Sequence, residues 1–141
     1  MFRLRILSVG KTKEQWLEEA IDEYCKRLQS VVKIEFLWVK SDEQLVQAAL
    51  KEARFLCLDS KGSMRSSEEF SSFIMHQFQT GGSRLAIVIG GSEGLPPLLR
   101  QSCQALISLS PMTFTHQMAR LLLLEQIYRA FEIDRGSQYH K

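Results

Sequence analysis

RLAIVIGGSEGL, residues 84–95, decides the fold. Its first six residues are apolar after Arg84 and rich in β-branched side chains, and paired glycines then end the run. A short apolar run bounded by turn residues has the pattern of a strand buried on both faces, as in the middle of a parallel sheet. Such a sheet needs crossover connections and helices to cover it, so helices should alternate with strands on either side of this segment.

Upstream, FRLRILSV (2–9) alternates Phe2, Leu4 and Ile6 with Arg3 and Arg5, as a strand with one buried face does. Gly10 and Lys11 turn the chain, Thr12 with Gln15 fits a capping box, and Trp16, Leu17, Ala20, Ile21, Tyr24, Cys25 and Leu28 recur at helical spacing. KIEFLWV (33–39) is a second strand, and Leu45, Val46, Ala49, Leu50 and Ala53 mark a helix over 42–53. RFLCL (54–58) is a third, buried strand, followed by the loop DSKGSMR (59–65). Ser66 with Glu69 makes a second capping box before a helix on Phe70, Phe73, Ile74 and Phe78.

Downstream, Pro96 and Pro97 suit the first turn of a helix running to about residue 104, and residues 106–109 make a last short strand. SPMTFTHQ leads into the apolar helix MARLLLLEQIYRAFEI (118–133), and the polar tail DRGSQYHK (134–141) follows. The pattern is an α/β fold with a mostly parallel sheet flanked by helices, read as one domain over 1–141.

With 45% hydrophobic and 24% charged residues the chain has enough apolar surface for a core. Net charge is +2, weak grounds for a polyanionic partner, although Arg3, Arg5, Lys11 and Lys13 form an acid-free basic cluster. That cluster reads either as a phosphate contact or as the solvated edge of a strand and turn. Cys25, Cys57 and Cys103 are widely spaced, without CxxC or a Cys/His group, which predicts a reduced compartment and no structural zinc. Charges interrupt the N-terminal apolar run and no stretch reaches the ~20 apolar residues of a membrane span, so a cytoplasmic location is expected.

GGSEGL follows a buried strand, where backbone amides can approach a ligand closely, yet it is neither GxxxxGK[ST] nor GxGxxG. By itself it reads equally as a tight turn or a cofactor site. LSPMTF (109–114) either walls an adenine ring or plugs the core beneath the last helix. His76, His116 and His140 share no metal spacing: His76 falls on a solvated helix face and His116 opens the last helix. Composition alone would fray the tail Tyr139, His140 and Lys141. No GxSxG elbow appears, and Glu68 with Glu69 suits the positive end of a helix dipole rather than acid–base chemistry.

Taken in order, FRLRILSVGKTKEQW, LDSKGSMRSSEEF, LAIVIGGSEGL, ISLSPMTFTHQMARLLLLEQIYRAF and RGSQYHK resemble the RlmH family of SPOUT enzymes. These bacterial proteins use S-adenosylmethionine to methylate N3 of a pseudouridine in 23S rRNA. The resemblance implies a C-terminal trefoil knot, a homodimer that completes each active site, and the assembled 70S ribosome as substrate. Carried over by position, it makes Leu58, Gly90, Leu109, Ser110, Pro111, Met112, Thr113 and Phe114 the cofactor-binding residues, and His140, Tyr139 and Arg135 the catalytic groups. No metal is implied. The chain departs from the family in a shortened region around 38–53 and in Thr115, where TFPHQ is usual. Alternatives are a non-catalytic ribosome-binding module that kept the fold, against which the intact loops argue, and a small-molecule methyltransferase, against which the basic N-terminus argues.

Overall fold

The computed structural model describes residues 1–140 and contains five strands and five helices in alternation. Lys141, which closes the tail read from the sequence, lies outside the described residues. The strands are β1 (Phe2–Val9), β2 (Val32–Val39), β3 (Phe55–Met64), β4 (Arg84–Ile89) and β5 (Ala105–Ser108). The helices are α1 (Gln15–Leu28), α2 (Asp42–Leu50), α3 (Ser67–Thr80), α4 (Pro97–Ser102) and α5 (His116–Asp134). Every strand pair is parallel and the sheet order is β2-β1-β4-β3-β5. β4 lies at the centre, as its unbroken apolar run requires.

Each face of the sheet has its own core. Leu4, Ile6, Leu56, Ile87 and Ile107 point toward α1, α3 and α5, where Leu17, Ile74, Phe78, Leu123 and Ile127 close over them. Leu7, Cys57, Ala86 and Val88 face the other way, against Leu45 and Ala49 of α2 and Leu99 of α4. A side chain of this size, fully buried, contributes about 1.5–3 kcal/mol. The one-faced reading of β1 therefore holds only at its start, because Ile6, Leu7 and Ser8 are all buried once both helical layers are in place.

Ser66 and Glu69 form the capping box read from the sequence, and Thr115 caps α5 by accepting from the Met118 amide at 3.1 Å. The Thr12–Gln15 box does not form. Helix α1 starts at Gln15 behind Glu14, which makes no side-chain cap, and the Thr12 hydroxyl instead receives Arg120. Helix α2 ends at Leu50, three residues short of the expected end. Helix α4 ends at Ser102, because the Gln104 amide is drawn into the sheet by the carbonyl of Phe55 at 2.9 Å. The largest departure is DSKGSMR, expected as a loop: most of it continues β3 through Met64.

A cleft at the strand ends and a docked C-terminal tail

Leu58 and Ser63 both pair with Ile107, so β3 bows outward between them. Gly62 permits the bow, since a Cβ there would lie 2.8 Å from the backbone of Leu106 and Ile107. The bow carries Asp59 and Ser60 into a cleft of about 780 Å³, where Asp59 pairs with Arg100. Three other segments meet there, each beyond the carboxyl end of a strand: Lys13, Glu14 and Trp16 after β1, Gly90 and Gly91 after β4, and Leu109, Ser110 and Met112 to Phe114 after β5. Crevices at the carboxyl ends of parallel strands are the usual binding place in open α/β sheets.

Seven of the eight residues expected to bind the cofactor line this one cleft: Leu58, Gly90, Leu109, Ser110, Met112, Thr113 and Phe114. Pro111, the eighth, is not among the lining residues. The 109–114 loop folds on itself, with Ser108 Oγ donating to the Ser110 carbonyl at 2.8 Å and Ser110 Oγ accepting from the Met112 amide at 3.0 Å. Met112 and Phe114 remain 73% and 41% exposed, so neither plugs the core. Gly90 is set by a contact within its own turn: a Cβ would fall 2.6 Å from the Gly94 carbonyl carbon and 2.7 Å from the Leu95 amide.

Opposite this loop, Arg120 braces the β1–α1 turn. Fully buried on α5, it donates to Ser8 Oγ (3.1 Å), the carbonyls of Val9 (2.9 Å) and Gly10 (2.7 Å) and Thr12 Oγ1 (3.1 Å), and it lies 4.1 Å from the Trp38 ring centroid. Burial lowers it to about 10, so it is still a cation at neutral pH. One turn earlier, Gln117 accepts from the Lys13 amide and donates to the Lys11 carbonyl, each at 3.1 Å. Sequence reading missed this brace. The available signal was a charge inside the leucine stripe MARLLLL, on the face shared with Leu123, Leu124 and Ile127.

The tail is docked rather than frayed. Tyr139 donates to Glu125 Oε2 at 2.6 Å and packs edge-on against Tyr128, and Arg129 stands 4.9 Å from its ring centroid. His140 sits between Arg129, 2.9 Å from Nδ1, and Glu68, 2.5 Å from Nε2. A guanidinium only donates and a carboxylate only accepts, so this geometry calls for the neutral tautomer with its proton on Nε2. Arg135 is bound to Glu132 instead. None of these three expected catalytic residues lines the cleft of its own chain. Among the described residues no group of three His, Cys, Asp or Glu gathers as a metal site, and no helix is long and apolar enough to cross a membrane.

The family described as "Predicted SPOUT methyltransferase" matches residues 2–140. The chain belongs to the SPOUT methyltransferase family. Within it, the chain is 57% identical over the full length of both proteins to the ribosomal RNA large subunit methyltransferase H of Protochlamydia amoebophila. It is 38% identical to the protein of that name from Symbiobacterium thermophilum, covering 99% of each chain. Among solved structures, a probable methylase family protein from Haemophilus influenzae shares the fold at TM-score 0.58 and 12% identity, covering 99% of this chain and 70% of that one. A probable methyltransferase from Bordetella pertussis does so at 0.57 and 9%, covering 92% and 96%.

S-adenosylmethionine is the cofactor of SPOUT methyltransferases, and the cleft suits it. Its volume lies within the roughly 300–1,000 Å³ of ligand pockets. Leu58, Ile89, Leu109, Met112 and Phe114 offer apolar walls to a flat ring, with the hydroxyls of Ser110 and Thr113 among them.

Proposed function

We propose that this protein methylates N3 of a pseudouridine in 23S rRNA, on the assembled 70S ribosome in the cytoplasm. It would act as a homodimer of subunits threaded as trefoil knots. The carrying observation is the convergence of Leu58, Gly90 and the 109–114 loop on one cleft of cofactor size, in a chain so similar to proteins named for methylation of large-subunit rRNA. The cofactor supplies a methyl group that is already electrophilic on a sulfonium, so the chain's own residues must align the acceptor and manage its proton.

His140 and Tyr139 stand outside the cleft of their own chain, and Trp16, Met112 and Phe114 leave exposed apolar surface around it. A second copy covering that rim would bring its tail to the acceptor. Loss of the N3 proton to solvent leaves negative charge shared between N3 and the flanking carbonyl oxygens, and N3 then takes the methyl as its bond to the sulfonium sulfur breaks, which discharges the anion. With its proton on Nε2, His140 is arranged to donate to such an oxygen once Glu68 releases it, so anion stabilisation is favoured over proton abstraction. Mass spectrometry of rRNA from cells with and without the protein tests the assignment: loss of a single methylated pseudouridine from 23S rRNA is expected, and an unchanged rRNA overturns it.

A further inference from the structure

Lys13, His116 and Gln117 line one end of the cleft, where the β1–α1 turn meets the first turn of α5. The His116 and Gln117 amides are the first two of a 19-residue helix and have no intrahelical acceptor. The carboxylates lining the cleft are Glu14, exposed beside Lys13, and Asp59, which Arg100 already pairs. Beneath this end lies Arg120, fully buried, held by hydroxyls and carbonyls with no carboxylate partner, and with its Nε unsatisfied. A buried cation without a counter-charge leaves a positive potential that an anion would relieve.

We propose that this end of the cleft is an oxyanion subsite, in which Lys13, His116 and the opening amides of α5 receive a carboxylate or a phosphate. Resting on the methyltransferase reading above, it has two sources of such a group: the α-carboxylate of the cofactor and a phosphodiester of the acceptor RNA. Arg120 and Gln117 are positioning residues here. They fix the backbone from Val9 to Lys13, so that Lys13 is presented by a rigid turn. The His116 ring is held below its ordinary range by burial first and then by the charges of Arg120 and Lys13, against a smaller opposing effect of its hydrogen bond to the Val9 backbone.

The test uses the full-length protein and its Lys13→Gln variant. In the first arm, the His116 ring is titrated by NMR with and without inorganic phosphate. Phosphate should raise the His116 midpoint in the wild type and do so less in Lys13→Gln. In the second arm, calorimetry compares S-adenosylhomocysteine with 5′-methylthioadenosine, which lacks the amino-acid portion, and sedimentation measures 70S binding. If the subsite holds the cofactor carboxylate, Lys13→Gln weakens S-adenosylhomocysteine about tenfold, the scale of one charged hydrogen bond, and leaves methylthioadenosine unchanged. If it holds an RNA phosphate, both small ligands bind as before, while ribosome affinity falls and its logarithmic salt slope drops by about one. A His116 midpoint insensitive to phosphate, with both affinities within about twofold of wild type, overturns the subsite even where S-adenosylhomocysteine binds normally. Failure of S-adenosylhomocysteine to bind the wild type would remove the methyltransferase reading, while the phosphate titration still decides the subsite.

Discussion

The Tyr139 hydroxyl donates a 2.6 Å hydrogen bond to Glu125 Oε2, tying the C-terminal tail to the middle of α5. Glu125 also accepts from Arg129 at 2.7 Å and Tyr24 at 3.2 Å. Burial pushes this carboxyl up, but Tyr139 and Arg129 together hold it below its ordinary range. A depressed carboxylate stabilises the folded arrangement fully above its unfolded value, about 4.3, and loses that contribution as pH falls through the lower folded value. Acid should therefore release the tail before the core opens. NMR signals of Tyr139 should shift in that window, and Glu125→Gln should remove the transition; a tail signal indifferent to pH in wild type would contradict this anchoring.

His140→Ala should leave S-adenosylhomocysteine affinity nearly intact and lower the single-turnover methylation rate on 70S ribosomes. A general acid–base or donor group contributes about 100- to 10,000-fold. Tyr139→Phe keeps the ring against Tyr128 and Arg129 but deletes the bond to Glu125, and a smaller loss is expected. Unaltered rates in both variants would remove the tail from the reaction.

Gly90→Ala tests the cofactor cleft. Its Cβ would displace the backbone of Gly94 and Leu95, both of which line the cleft, so binding should weaken through a moved wall. A destabilisation of about 1–3 kcal/mol is expected, as for other overpacked sites. Calorimetry on chelator-treated protein reads the affinity and urea unfolding the stability. Unchanged affinity would place the cofactor elsewhere.

Arg120→Met keeps the length of the side chain and removes its hydrogen bonds to Ser8, Val9, Gly10 and Thr12. Leaving buried acceptors without donors should cost about 2–4 kcal/mol in urea unfolding. Arg120→Lys should restore only part of this, since one ammonium cannot reproduce the planar fork. Full stability in Arg120→Met would show that the turn holds without its brace.

Light scattering at micromolar concentration should give twice the mass of the chain. Leu123 and Leu124 are consumed by the protein's own core, whereas Leu121 and Leu122 are only half-buried, and Trp16, Met112 and Phe114 are open. A monomer would exclude any site that borrows a tail from a second subunit.

Periodicity and turn chemistry determined the alternation of strands and helices, the central place of 84–89 and the Ser66–Glu69 box, because each is a local property of neighbouring residues. The family motifs marked Leu58, Gly90 and the 109–114 loop, and folding brought all but Pro111 of them to one cleft. Tertiary structure alone decided the rest. The bow in β3 depends on Gly62 lying against β5, more than 40 residues on, so 59–65 read as a loop. Thr12 looked like a helix cap until Arg120, 108 residues later, took its hydroxyl. Composition frayed the tail, whereas contacts with Glu125, Arg129 and Glu68 dock it. Side chains so far apart in the chain meet only after the sheet and its helices are built, and no local pattern encodes that meeting.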